Sequence, residues 1–328
     1  MAQPIKGHNF LSNTDRYHIK EAKVFCIPNN AFYFPCFWVA AAIYATDNKI
    51  PYQQLDIHPD IEGYASVIGF SQVLGDTTPV NRPKDGSDYS SMEKLEDDQS
   101  ADAGKSRIGN CLREMLNTNK LKNSDPVKIA INDLIGVIGE LHDNVVSHSK
   151  GIGFSVAQSH PFYKYKQGRF LSFAIADNGI GFLSELKARK VADINTDQEA
   201  IAWCIVKNNT SKRKSVDDEW AQRVPSDAHV NPFGPHITTK DKDNNHQGLG
   251  LDKLCQLVTK YKGELRIESG RAALYVDNTG EHRYSEIDHG QDGVSISLLL
   301  NVDEFENQVP EQPSKKVKEL MNKLRRRS

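Results

Sequence analysis

The sequence predicts an α+β protein: a two-layer sandwich of helices on one face of a sheet, preceded by a small α/β unit. Three observations carry this. The region from about residue 105 to 302 runs through helical stretches and then strands, without the strict alternation of βαβ units. Residues 23–75 read instead as strand, helix, strand, helix. Between the two lies 77–104, rich in Asp, Glu, Ser, Pro and Gly and almost devoid of apolar periodicity, which reads as a linker or long loop.

At 328 residues the chain can bury a sizeable core. A quarter of the residues are charged, but the net charge is only −2, so no overall field points to nucleic acid or a membrane. The five cysteines (Cys26, Cys36, Cys111, Cys204, Cys255) are scattered, with no C-x-x-C pair. That spacing suits a reducing cytoplasm better than a disulfide framework or a zinc site. The N-terminus lacks the charged-then-apolar run of a secretion signal. The most apolar stretch, 31–45, contains Pro35 and is too short to span a bilayer comfortably, so it reads as a buried helix and the protein as soluble and cytoplasmic.

In chain order, residues 1–20 are polar and expected to be loosely held. The small unit, 21–76, is built from KVFCI, FWVAAAIYAT, YQQLDIH and YASVIGFSQVL, and carries no catalytic arrangement. At the end of the linker, Gly104-Lys105-Ser106 resembles the close of a phosphate-binding P-loop. Gln99 stands where that loop needs its first glycine, and the lead-in is an acidic coil rather than a strand, so the reading fails. A helix is expected at 107–121 and a second at 125–149. Strands follow at 152–157 and 170–176, then an apolar helical segment near 198–207 and a helix near 251–261. Three last strands are expected at 264–268, 272–276 and 294–300, before a basic, weakly amphipathic tail, 303–328. The tail reads as a solvated helix, with contact to nucleic acid or anionic lipid as a weaker alternative.

The helix at 125–149 organises the rest. Asp125 suits the cap and Pro126 the first turn. Val127, Ile131, Leu134, Ile138, Leu141 and Val145 form a core-facing stripe. Glu140, Asn144 and His148, four apart, stack in a row flanking that stripe, which sets a carboxylate and an amide at the rim of the core. A solvated polar edge would read the same way.

Two later stretches favour a site. In FLSFAIADNGIGF (170–182), Leu171, Phe173 and Ile175 alternate onto one face and Asp177 follows on that side, pointing inward where it needs a donor, such as the exocyclic amine of a purine. Gly179 and Gly181 then permit a tight turn and close approach to a ligand. In ITTKDKDNNHQGLGLDKL (237–254), Gly248 and Gly250 precede a helix that begins with Leu251 and Asp252, so free amides face an anion such as a polyphosphate, with Lys240 upstream as a further charge. Neither glycine pair completes the dinucleotide-binding G-x-G-x-x-G.

In order and spacing, the three stretches resemble the GHKL ATPase superfamily: gyrase, the ninety-kilodalton heat-shock chaperone, histidine kinases and MutL. ELHDN at 140–144 resembles the N box, DNGIGF at 177–182 the first glycine box and GLGL at 248–251 the second. The Thr-Thr-Lys run before the last box and KGELRIESG at 262–270 are similar to histidine kinases. The likeness covers about 105–302.

The resemblance implies a Bergerat-type ATP-binding fold with ATP and Mg²⁺ as cofactors. It implies that Asn144 binds the metal and Asp177 accepts from the adenine amine. Gly179, Gly181, Phe182, Lys240, Gly248, Leu249, Gly250 and Leu251 would line the nucleotide, and 183–247 would form a lid. Glu140 would orient or deprotonate an attacking water. The helix at 107–121 holds no histidine that could serve as a phosphoacceptor, so self-phosphorylation of the histidine-kinase kind is not expected. The function implied is a slow Mg²⁺-dependent ATPase whose lid movement regulates a protein partner, with a homodimer as one possible form. A kinase acting on a partner, or a non-catalytic ATP sensor, are the alternatives.

Overall fold

A computed structural model describes residues 18–19, 24–29, 33–81, 86–118, 125–149, 151–161, 168–191, 193–206, 250–305 and 307. It is mixed helix and strand, with an antiparallel sheet packed against helices. The central sheet has five strands: β4 (Glu93–Leu95), β5 (Gly153–Pro161), β6 (Arg169–Asp177), β7 (Glu264–Val276) and β8 (His282–Asn301), in the order β4-β5-β6-β8-β7. β1 (His18–Ile19), β2 (Val24–Ile27) and β3 (Leu55–Ile57) make a second, small sheet.

Alternation along the strands gives the large sheet two different faces. Leu171, Phe173, Ile175, Ile296, Leu298, Leu300, Leu265 and Ile267 pack against α4 (Asp98–Thr118), α5 (Asp125–Asn144) and α8 (Gly250–Lys260). The whole predicted stripe of α5, from Val127 to Val145, is buried in this core. The opposite face sets Ser172, Ala174, Ala176, Ser295 and Ser297 beside the larger Phe154, Val156 and Leu299. There α1 (Pro35–Asp47) lies against the sheet, and its own run of Ala40, Ala41 and Ala42 is completely buried.

Helix α1 is apolar all round, the signature of a helix covered on every side. The sheet covers one side; β2, α2 (Pro59–Val67) and α3 (Phe70–Val73) cover the other, with Trp38 meeting the rings of Tyr64 and Phe70 and Phe25 meeting Tyr44. This corrects the expectation of a two-layer sandwich with helices on one face. The N-terminal unit supplies the cover for the second face, which turns two layers into three or more.

Several boundaries also shift. Glu93–Leu95 is an edge strand and α4 begins at Asp98, so the expected linker supplies part of the sheet and the first turns of a helix. Gly104-Lys105-Ser106 sits within that helix, in agreement with its rejection as a P-loop. The strands expected at 264–268 and 272–276 are one strand, β7, kinked by a bulge around Ser269 and Gly270. The strand expected at 294–300 extends back to His282, through HRYSEIDHGQDG, which is too polar to read as core. The basic tail beyond residue 307 lies outside the described residues.

Candidate functional site

The end of α5 is where the three singled-out stretches meet. After Asn144 the helix widens into a π turn, Val145–Ser149, a departure often found at functional positions. Ser149 closes it by donating from Oγ to the Val145 carbonyl at 2.6 Å. Its own carbonyl accepts the Ile180 N–H at 3.0 Å, joining the helix end to the Asp177 loop. Val145 packs over Gly153, the register partner of Asp177 on β5.

Asp177 ends the apolar row of β6 on the helical face, as its alternation predicts, and is buried. Desolvation pushes its pKa up to about 7, although the backbone N–H groups of Gly179 and Val294 both donate to it and pull the other way. The Gly179 bond to Oδ1 is 2.9 Å. A carboxyl so placed is primed for a further donor.

The glycines have specific reasons to be glycine. A Cβ on Gly179 would lie 2.1 Å from the Ser149 carbonyl oxygen, so its bareness serves the docking of α5 rather than the approach of a ligand. Gly181 has φ +70°, a left-handed conformation, and begins α6 (Gly181–Ala188). The next residue, Phe182, is half-buried between the main core and the α6 cluster, and its N–H donates to Ser269 Oγ at 3.0 Å.

On the other side of α5, Glu140 and Gly250 are neighbours: a Cβ on Gly250 would come within 3.1 Å of Glu140 Oε2. Lys253, one turn into α8, holds Glu140 Oε1 at 3.1 Å. Leu251 is buried in the core. Asn144 is half-buried, one turn beyond Glu140 at the last position of α5. Glu140, Asn144, Asp177, Gly179, Gly181, Phe182, Gly250 and Leu251 are thus gathered around the last turns of α5. Lys240, Gly248 and Leu249 lie outside the described residues, as does the side chain of His148.

The expected lid, 183–247, is corrected at its start. Residues 183–206 include most of α6 and all of α7 (Asp197–Cys204), which share a small core of Leu186, Ile194 and Ala200. A capping box between Thr196 and Glu199 starts α7, and Asp197 accepts the Arg271 N–H at 2.9 Å, fastening the pair to the β7 bulge. Residues 207–249 lie outside the described residues.

Four participants escaped the sequence reading. Lys253 pairs with Glu140. Gly293, with φ +84°, lies so close that a Cβ would meet the Asp177 carbonyl oxygen at 2.0 Å. Asn178 accepts the Ile152 N–H on Oδ1 at 2.7 Å and donates from Nδ2 to Asp47 Oδ1 at 2.6 Å, tying the loop to the end of α1. His142 is fully buried, with Nε2 2.8 Å from Ser155 Oγ, and desolvation together with nearby Lys105 lowers its pKa to about 4. Only Lys253 left a sequence signal, three residues after Gly250 on a helix face.

Among the described residues no group of three or more His, Cys, Asp or Glu side chains is placed to hold a metal ion. None of the five cysteines is joined in a disulfide. No helix among the described residues is long and apolar enough to cross a membrane. Comparison with known proteins assigns no family: no family model matches the chain, and no curated protein matches it.

Proposed function

We propose that the residues around the end of α5 bind ATP with Mg²⁺ in the manner of the GHKL superfamily, in a Bergerat-type arrangement, and that the chain is a slow ATPase whose nucleotide state regulates a protein partner. The observation that carries this is the buried Asp177 carboxyl at the end of a core-facing strand row, within one loop of a helix bearing Glu140 and Asn144. A buried carboxyl with two amide donors has acceptor capacity left for an exocyclic amine. Asn144 supplies one amide oxygen, which fits a cation that keeps most of its waters and takes its other ligands from phosphates. The metal would screen charge on those phosphates. The free amides at the start of α8 suit the same anion.

Glu140 is the group for positioning water. Its pairing with Lys253 at 3.1 Å favours a second reading, a nucleotide sensor with little turnover, because a carboxylate oxygen engaged by an ammonium is not free to orient a water. A kinase that phosphorylates a partner is the third. His142 is no accessible phosphoacceptor, being buried against Ser155.

Calorimetric titration of the full chain with ATP and Mg²⁺ tests the site, with Asp177→Asn and Asn144→Ala as variants. Each change is expected to weaken binding at least about tenfold, the worth of one charged hydrogen bond or metal ligand. Tight binding untouched by both would remove the assignment. Incubation with γ-labelled ATP separates the readings: free phosphate for an ATPase, labelled protein for a kinase, neither for a sensor.

A further inference from the structure

A cavity of about 690 Å³ lies away from the end of α5, between the end of α1, α3, β4 and α4. Its size is that of a ligand site. Ile50, Val73, Leu74 and Met92 give it apolar walls, and Lys49, Lys94 and Arg107 give it cations. The one lining carboxylate, Glu93, is buried and taken by Arg107 through bonds of 2.8 and 2.5 Å. Lys94 has only an exposed partner, Glu96, at 2.7 Å, a kind of pairing that contributes little. Lys49 makes no ion pair among the described residues. The lining is therefore complementary to negative charge.

Two backbone features sharpen this. β4 is the edge of the large sheet. Its outward groups are engaged on either side: the Met92 N–H donates to the Ile68 carbonyl at 2.7 Å, and the Glu96 N–H to Ser100 Oγ at 2.9 Å. Between them, alternation turns the N–H and C=O of Lys94 outward, away from β5. Lys94 lines the cavity, so this outward pair of backbone groups lies at its border.

Lys49 sits at the position after the α1 cap with φ +54°. The Ile50 N–H reaches the Ala45 carbonyl at 2.8 Å and the Lys49 N–H the Thr46 carbonyl at 3.1 Å, a Schellman closure that ordinarily takes glycine. Lys262 occupies the left-handed region after α8 and pairs with Glu304, so a lysine there is not unique in this chain. Of the two, Lys49 is the one that lines the cavity.

We propose that this groove binds an extended acidic–apolar peptide segment of a partner protein. One of its residues would pair with the Lys94 backbone, an acidic side chain would lie over Lys49, and an apolar neighbour would enter between Ile50, Leu74 and Met92.

The test is fluorescence anisotropy on the full chain with a labelled Val-Asp-Val-Asp-Val peptide, its Val-Lys-Val-Lys-Val counterpart, and a version N-methylated at the central residue. The acidic peptide is expected to saturate, and the basic one to bind at least about tenfold more weakly. N-methylation should cost about fivefold or more, the worth of one hydrogen bond. Lys49→Gly relieves a left-handed lysine, so it should hold or raise the melting temperature while weakening the acidic peptide about fivefold or more. Equal binding of both peptides, indifference to N-methylation, or binding unchanged in Lys49→Gly would each overturn the proposal. So would equal competition by free succinate, which would make the groove a small-anion site, or by a short oligonucleotide.

Discussion

The two faces of the five-stranded sheet are built on opposite principles. One carries large aliphatic and aromatic side chains that meet amphipathic helices, and its margin holds polar groups: Glu140, Asn144, His142 and Asp177. The other sets alanine and serine beside Phe154 and Val156, carries the buried Glu268 paired with Arg266, and accepts a helix that is itself alanine-rich and buried all round. The candidate site lies at the margin of the first face, where α5 ends, whereas α1 closes over the second. The Asn178–Asp47 bond joins them at the loop that carries Asp177.

The comparison is broken most severely at Trp38, fully buried between α1, α2 and α3. Trp38→Ala is expected to cost about 3–5 kcal/mol, read as a fall in the urea midpoint. Because α1 covers the sheet directly, the loss should appear in one cooperative transition. A separate early transition, with the remainder of the chain as stable as before, would mean that the N-terminal unit is merely appended.

Acid titration sharpens it next, because both strongly shifted groups in the range lie on the helical face. The pKa of His142 is lowered to about 4, so its contribution is present above the unfolded value near 6.5 and is lost as pH falls toward 4. That of Asp177 is raised to about 7, so its contribution is present below the unfolded value near 4 and is lost as pH rises through 7. The two oppose each other between pH 4 and 7, with spans of roughly 3 kcal/mol for His142 and roughly 4 kcal/mol for Asp177. Asp177→Asn should therefore leave a steeper acid loss than the parent, and His142→Leu should leave stability rising toward acid. Denaturant midpoints measured at each pH check both signs. On the other face, burial holds the Cys36 thiol neutral with a pKa of about 12, so Cys36→Ala should not alter the profile.

The smallest effect is expected at the join. Asp47→Ala removes one partly exposed hydrogen bond and should cost about 0.5–1 kcal/mol. Amide exchange at Gly179 should quicken several-fold while the core of α5 stays protected. Unchanged exchange there would show that the two faces are not linked through this bond.

Much of this was legible beforehand, for physical reasons that differ by element. The stripe of α5 and the alternation that puts Asp177 on the core side are properties of chain periodicity, and both recur in the fold. The glycines were visible as glycines, but their cause was not: Gly179 is bare because of a carbonyl 30 residues away in the chain, at Ser149. Edge strand β4 was hidden in polar sequence, since three residues are too few to show a period. Asn178 and Gly293 matter through partners distant in sequence, which no local pattern encodes.

By itself the sequence determined which residues turn inward along each helix and strand, because that follows from 3.6- and 2-residue repeats. Tertiary structure alone decided that the N-terminal unit roofs the second sheet face, that Lys253 reaches Glu140, and that a groove opens beside β4. The physical reason is that such pairings depend on how separate elements bury their apolar faces against one another, and burial is a property of the assembled chain.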